Sequence, residues 1–149
     1  MKKVTGIGGI FFKARDPEAL RAWYRQHLGI ECNEDGAADF EWPDPDRRNH
    51  TGRTIWSLFP HDTRYFDLSK QPFMVNYRVA NLDALLDELR EAGVEVDVRV
   101  EQYEYGRFAW VMDPEGNRIE LWEPAGERPE LKIRRITSPC KLSSLYHQC

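Results

Sequence analysis

Residues 4–123 predict an α+β fold made of two βαβββ modules with mixed sheets. Three observations predict it. Two amphipathic helical segments each follow an apolar strand and each precede a set of short strands. A phrase recurs at both strand-to-helix junctions: Ala14-Arg15-Asp16-Pro17-Glu18-Ala19-Leu20 and Val79-Ala80-Asn81-Leu82-Asp83-Ala84-Leu85. The second half then closes on a strand, a Pro-Gly turn and another strand between Tyr105 and Pro124. This divides the chain into a first module at 1–60, a linker at 61–71, a second module at 72–123 and a basic tail at 124–149.

Each element has a local reason. Residues 4–14 form an apolar, aromatic run that reads as a strand, with glycines where another backbone or a ligand comes close. Asp16 then caps a helix that has Pro17 in its first turn. Leu20, Trp23, Tyr24, His27 and Leu28 lie on one side of that helix, and Gly29 stops it. Short strands are expected at 30–32 and 38–42, then a polar Pro/Asp/Arg-rich loop at 43–52 and a strand at 54–59. Beyond the linker, 72–79 reads as a strand. Asn81 opens a helix with Leu82, Leu85, Leu86 and Leu89 on one face, ended by Gly93. Residues 94–100, 107–112 and 118–122 supply three more strands.

Composition narrows the function classes. With 149 residues, 41% hydrophobic and 31% charged, the chain is long enough to bury a core. No apolar run approaches the roughly 20 residues that cross a bilayer. The start, Met1 to Ile10, has no secretion signal, so a cytoplasmic protein is expected. Cys32, Cys140 and Cys149 have no metal-like spacing and read as reduced thiols. The net charge of −4 does not favour nucleic acid. From Pro124 onward five basic residues face two acidic ones, so the tail carries +3 and the body −7.

The chemistry concentrates in the closing phrase. Phe108, Trp110 and Met112 alternate with Arg107, Ala109 and Val111. Asp113-Pro114-Glu115-Gly116-Asn117 supplies the turn. Glu120 then falls among Ile119, Leu121 and Trp122. A carboxylate in such a strand is expensive to bury alone, so it faces solvent, a lined cavity or a metal.

The duplicated plan, the phrase from Asp113 to Pro124 and the stretch Arg21-Ala22-Trp23-Tyr24-Arg25-Gln26-His27-Leu28-Gly29-Ile30 resemble the vicinal oxygen chelate superfamily. Its members include glyoxalase I, extradiol dioxygenases, methylmalonyl-CoA epimerase and bleomycin resistance proteins. The resemblance implies curled sheets around a central cleft, a homodimer, and a divalent metal held by first-strand and last-strand ligands. Carried onto this chain, those positions are Gly9, Met74 and Glu120. Glycine has no donor and a thioether is too soft for the usual ions, so no metal and no cofactor are expected. His27, His50, His61 and His147 do not fall on cleft-facing strand positions.

With Gly9, Met74 and Glu120 on the cleft face, alternation places Phe11, Asn76, Arg78, Arg118 and Trp122 beside them. Trp56 and Trp110 fit either face, and Tyr105 is expected at the mouth. The expected binding residues are therefore Phe11, Trp56, Met74, Asn76, Arg78, Tyr105, Trp110 and Trp122, with Glu120 the catalytic candidate. Arg78 either pairs with an acid or meets an anionic ligand. The first functional reading is metal-independent binding of a small, planar organic molecule. The others are a glyoxalase-like lyase, isomerase or dioxygenase using Glu120, and an interaction module whose cleft is filled.

Overall fold

A computed structural model describes residues 3–126 of the chain. The basic tail expected at 124–149 therefore lies almost wholly outside the described residues. The run of apolar residues after Lys3 forms β1 (Val4–Ala14), and the helix start at Asp16 begins α1 (Pro17–Leu28). β2 (Ala37–Pro43) and β3 (Thr51–Pro60) follow. The second half contributes β4 (Phe73–Val79), α2 (Leu82–Glu91), β5 (Val96–Tyr103), β6 (Gly106–Met112) and β7 (Arg118–Pro124).

Local chemistry accounts for the helix ends. The Asp16 carboxylate accepts the Ala19 N–H at 3.0 Å, and Gly29 takes the left-handed conformation (φ 68°) that ends α1. Asn81 caps α2 in the same way, its side-chain oxygen accepting the Ala84 N–H at 3.1 Å. The two helices dock differently. α2 buries Leu82 and Leu86 fully, whereas α1 has no fully buried residue and rests on the sheet through Leu20 and Tyr24. Trp23 and Leu28, expected on the packed side, are exposed, and the Trp23 ring lies 5.0 Å from His27 instead.

The seven strands make one curled mixed sheet in the order β2-β3-β1-β4-β7-β6-β5. In each half the first strand runs parallel to the last: β1 with β3, and β4 with β7. β1 and β4 join the halves antiparallel. The α+β class and the duplicated plan are as the sequence predicts. One strand differs: residues 30–32 form no ladder. Ile30 and Cys32 pack against the cluster under α1, and a turn through Gly36 leads into β2. Three residues spent on packing a helix leave too little chain for a paired strand.

Both helices cover one face of the sheet. Ala14, Ala38, Trp56 and Leu58 form the core under α1, and Val79, Ala109, Val111 and Leu121 meet Leu82 and Leu86 under α2. A third cluster lies on the opposite face, with Phe11, Phe59, Phe66, Met74, Phe108 and Trp110. Phe66 belongs to the segment 61–71, which crosses that face in a series of turns. Among the described residues no helix is long and apolar enough to cross a membrane.

These contacts rank substitutions. Leu82→Ala is expected to lower the free energy of urea unfolding by about 2–5 kcal/mol. Asn81→Ala should lower it by about 1 kcal/mol. Trp23→Ala, at a position 49% exposed, should stay within about 0.5 kcal/mol of the parent.

Candidate functional site

The site begins with strand register. β4 and β7 run parallel and pair Asn76 with Glu120 and Arg78 with Trp122. β6 runs antiparallel to β7 and sets Trp110 opposite Glu120 and Phe108 opposite Trp122. Because side chains alternate between faces, Asn76, Glu120 and Trp110 form one row away from the helices. Arg78, Trp122 and Phe108 form the next.

Glu120 is 1% exposed, and its carboxylate is held by two donors. The Tyr65 hydroxyl donates to Oε1 at 2.6 Å, and the Asn76 side-chain amide donates to Oε2 at 3.0 Å. Burial drives the Glu120 pKa up from 4.5 to about 7, while Asn76, Tyr65 and the nearby Arg118 guanidinium pull it back. Tyr65 comes from segment 61–71, and rings on two sides fix its orientation. It stacks on Phe59 at 5.5 Å and meets Trp110 edge-on at 6.3 Å.

Aromatic rings continue along the face. Phe108 stacks on Trp122 at 5.9 Å, and Tyr103 stacks on Tyr105 at 5.5 Å. The Trp122 indole donates to the Tyr105 carbonyl at 3.0 Å, which ties β7 to the β5–β6 turn. The Tyr103 hydroxyl donates to Glu101 at 2.7 Å, and burial with that acid pushes its pKa up to about 12. Two arginines flank Glu120, each 8% exposed. The Arg118 guanidinium sits 5.4 Å from the Trp110 ring and 3.5 Å from Asp97. The Arg78 guanidinium sits 5.2 Å from the Trp42 ring and 5.8 Å from that of Trp122. Burial lowers the pKa of both, against the pull of Asp97 on Arg118 and of Asp44 on Arg78.

The sequence model of the glyoxalase-like domain matches residues 9–122, which span this whole site. The chain belongs to the glyoxalase-like family. Its fold is that of the glyoxalase/bleomycin resistance/dioxygenase superfamily. Methylmalonyl-CoA epimerase from Mycobacterium tuberculosis is 24% identical, with 85% of this chain and 93% of that one covered at a TM-score of 0.51. A Streptomyces coelicolor methylmalonyl-CoA epimerase variant in complex with 2-nitronate-propionyl-CoA is 21% identical, with 83% and 99% covered at 0.57. A glyoxalase/bleomycin resistance protein/dioxygenase superfamily member from Vibrio splendidus is 12% identical, with 78% and 97% covered at 0.50. No curated protein sequence matches significantly.

In this glyoxalase-like chain the expected site residues separate into three groups. Asn76, Arg78, Glu120, Trp110, Trp122 and Tyr105 come together on the face away from the helices. Phe11 and Met74 share that face but are 0% exposed and serve as core with Phe59 and Phe66. Trp56 is on the other side. It pairs with Ile10 in the β1–β3 ladder, and its ring meets Tyr24 at 4.9 Å and Phe12 at 5.5 Å under α1. Arg78 does not pair with Glu120, whose oxygens are taken by Tyr65 and Asn76. Tyr65 itself escapes the strand analysis because it lies in the linker. Its signal is an adjacent aromatic pair, Tyr65-Phe66, within a polar segment.

The donors present do not fit the divalent ion that the family resemblance implies. A side chain on Gly9 would collide with the Phe11 ring, which lies over it, and Met74 offers only a thioether inside the core. Among the described residues no three His, Cys, Asp or Glu side chains come together as a metal-holding group.

The raised Glu120 pKa has a pH signature. An acid with a higher pKa in the folded state binds its proton more tightly there. Its stabilising contribution is complete below about 4.5 and is lost as the pH rises to about 7. The shift corresponds to roughly 3 kcal/mol. Unfolding free energies measured across that window should fall by about this much more for the wild type than for Glu120→Gln. Parallel curves would rule out a buried, titrating Glu120. Tyr65→Phe removes a donor to the carboxylate and should move the window to higher pH.

Proposed function

We propose that this glyoxalase-like protein binds a small, planar organic molecule, without a metal, in the groove on the sheet face away from the helices. One observation carries the reading. Among the described residues, the buried side-chain polar atoms without a hydrogen-bond partner are Asn76 Oδ1, Arg78 Nε and Nη1, Trp110 Nε1 and Arg118 Nε. By strand alternation all four residues lie on that one face, in rows next to Glu120. Folded proteins satisfy nearly all such groups, and an unmet buried donor costs about 1–3 kcal/mol. The arginine and indole donors among them match a ligand with acceptor oxygens and a flat apolar body, and Asn76 Oδ1 would take a donor from it. Tyr105 and Trp122, which are only partly buried, supply the walls, and the buried Phe108 and Trp110 back them. That a Streptomyces coelicolor epimerase of similar fold was solved in complex with 2-nitronate-propionyl-CoA is in keeping with a small-molecule site.

Two further observations favour rivals. A Glu120 pKa of about 7 suits a general base at neutral pH, and hence a lyase or isomerase that moves a proton without a metal. The complete burial of Phe11, Phe59, Phe66 and Met74 suits a module whose groove is filled by its own side chains.

The three readings give different results. Binding predicts that members of a panel of planar aromatic compounds raise the melting temperature. Trp122→Leu, at the rim, should weaken their affinity about tenfold while the protein stays folded. Catalysis predicts turnover with an apparent pKa near 7 that Glu120→Gln abolishes. A folded protein whose melting temperature no compound raises is a filled module. We further assign a homodimer, so light scattering should give the mass of two chains, and a single-chain mass refutes it.

A further inference from the structure

Three glycines line the surroundings of Arg78, and each makes room for a specific group. The Trp42 ring lies over Gly6 and Gly52, where any side chain would collide with it. A Cβ on Gly8 would lie 2.9 Å from Arg78 Cγ and 2.9 Å from the Trp122 ring. Two β-strands therefore give up side chains so that a guanidinium can sit between two indoles. Arg78 is 8% exposed, and its Nε and Nη1 are buried without a hydrogen-bond partner among the described residues. The acid with the largest effect on it is Asp44, yet Asp44 forms no ion pair with Arg78, and its Oδ1 accepts the Asp46 backbone N–H at 2.9 Å. Arg47, on the same hairpin, opposes it.

A buried cation without a counter-ion is a strongly unfavourable element of a fold. Stacking on indole faces offsets part of the desolvation but satisfies no N–H donor. What the arrangement lacks is an anion with oxygen acceptors. Carboxylates match the planar donor set of arginine better than any neutral group does.

On the reading of the groove as a small-molecule site, we propose that Arg78 is an anion subsite and that the ligand is a planar aromatic carboxylate. Its carboxylate meets the Arg78 guanidinium, and its ring lies along the partly exposed Trp122.

Calorimetric titration of the full chain with 2-naphthoate and with its uncharged isostere 2-naphthamide tests this. The carboxylate should bind about tenfold more tightly than the amide. Arg78→Met keeps much of the stem and removes the charge, so it should abolish that preference, the two compounds then binding with equal affinity. Arg78→Lys keeps a charge without the planar donors and should retain only part of it. Equal affinity of the wild type for both compounds overturns the anion subsite while leaving the groove reading intact. A preference that survives in Arg78→Met also overturns it. Failure of both compounds to bind overturns the groove reading as well.

Discussion

The burial of one carboxylate organises this molecule. Glu120 lies in the middle of β7 with almost no exposure, and removing such a charge from water costs several kcal/mol. The hydrogen bonds that hold it come neither from β6 nor from its own strand. The donors come from β4, through Asn76, and from the segment joining the two halves, through Tyr65. One acid thus ties the second half's last strand to its first strand and to the linker. The linker crosses the sheet face because Tyr65 has an acceptor to reach and Phe59 to stack on.

The charges around that acid are arranged by the same register. Arg118 precedes Glu120 by two residues on β7, and Arg78 follows Asn76 by two on β4, so both face the same way as the acid. Each guanidinium rests against indole rings rather than in a tight ion pair with Glu120. The face therefore carries, among the described residues, buried polar atoms without an internal partner. This differs from the helix-covered face, where both clusters are apolar throughout.

Much of this was legible in the sequence, and the limits have physical causes. Asp16, Asn81, Gly29 and the turn at Asp113 to Asn117 act through neighbours only a few residues away, so their roles follow from spacing alone. Period-two alternation placed Asn76, Arg78, Arg118, Glu120 and Trp122 on one face, because a strand leaves no other choice. Alternation does not say which face a helix covers. Trp56 was therefore open on sequence grounds, and its packing against Tyr24 under α1 decides it. Phe11 and Met74 were placed on the correct face, yet their depth depends on Phe66 arriving from the linker. Tyr65 was missed for a related reason: an irregular segment carries no periodicity from which a direction can be read. The short strand at 30–32 failed because packing against α1 outweighed pairing.

The placement of the five tryptophans has an optical consequence. Trp42 and Trp122 flank a guanidinium, and Trp110 stands beside a carboxylate and beneath a second guanidinium. Trp56 is shut away under α1, and Trp23 is half in water on the outside of that helix. Three of the five indoles thus stand next to charges that alter their excited states. That face carries its own reporter, and near-ultraviolet spectroscopy can follow changes in it without any added label.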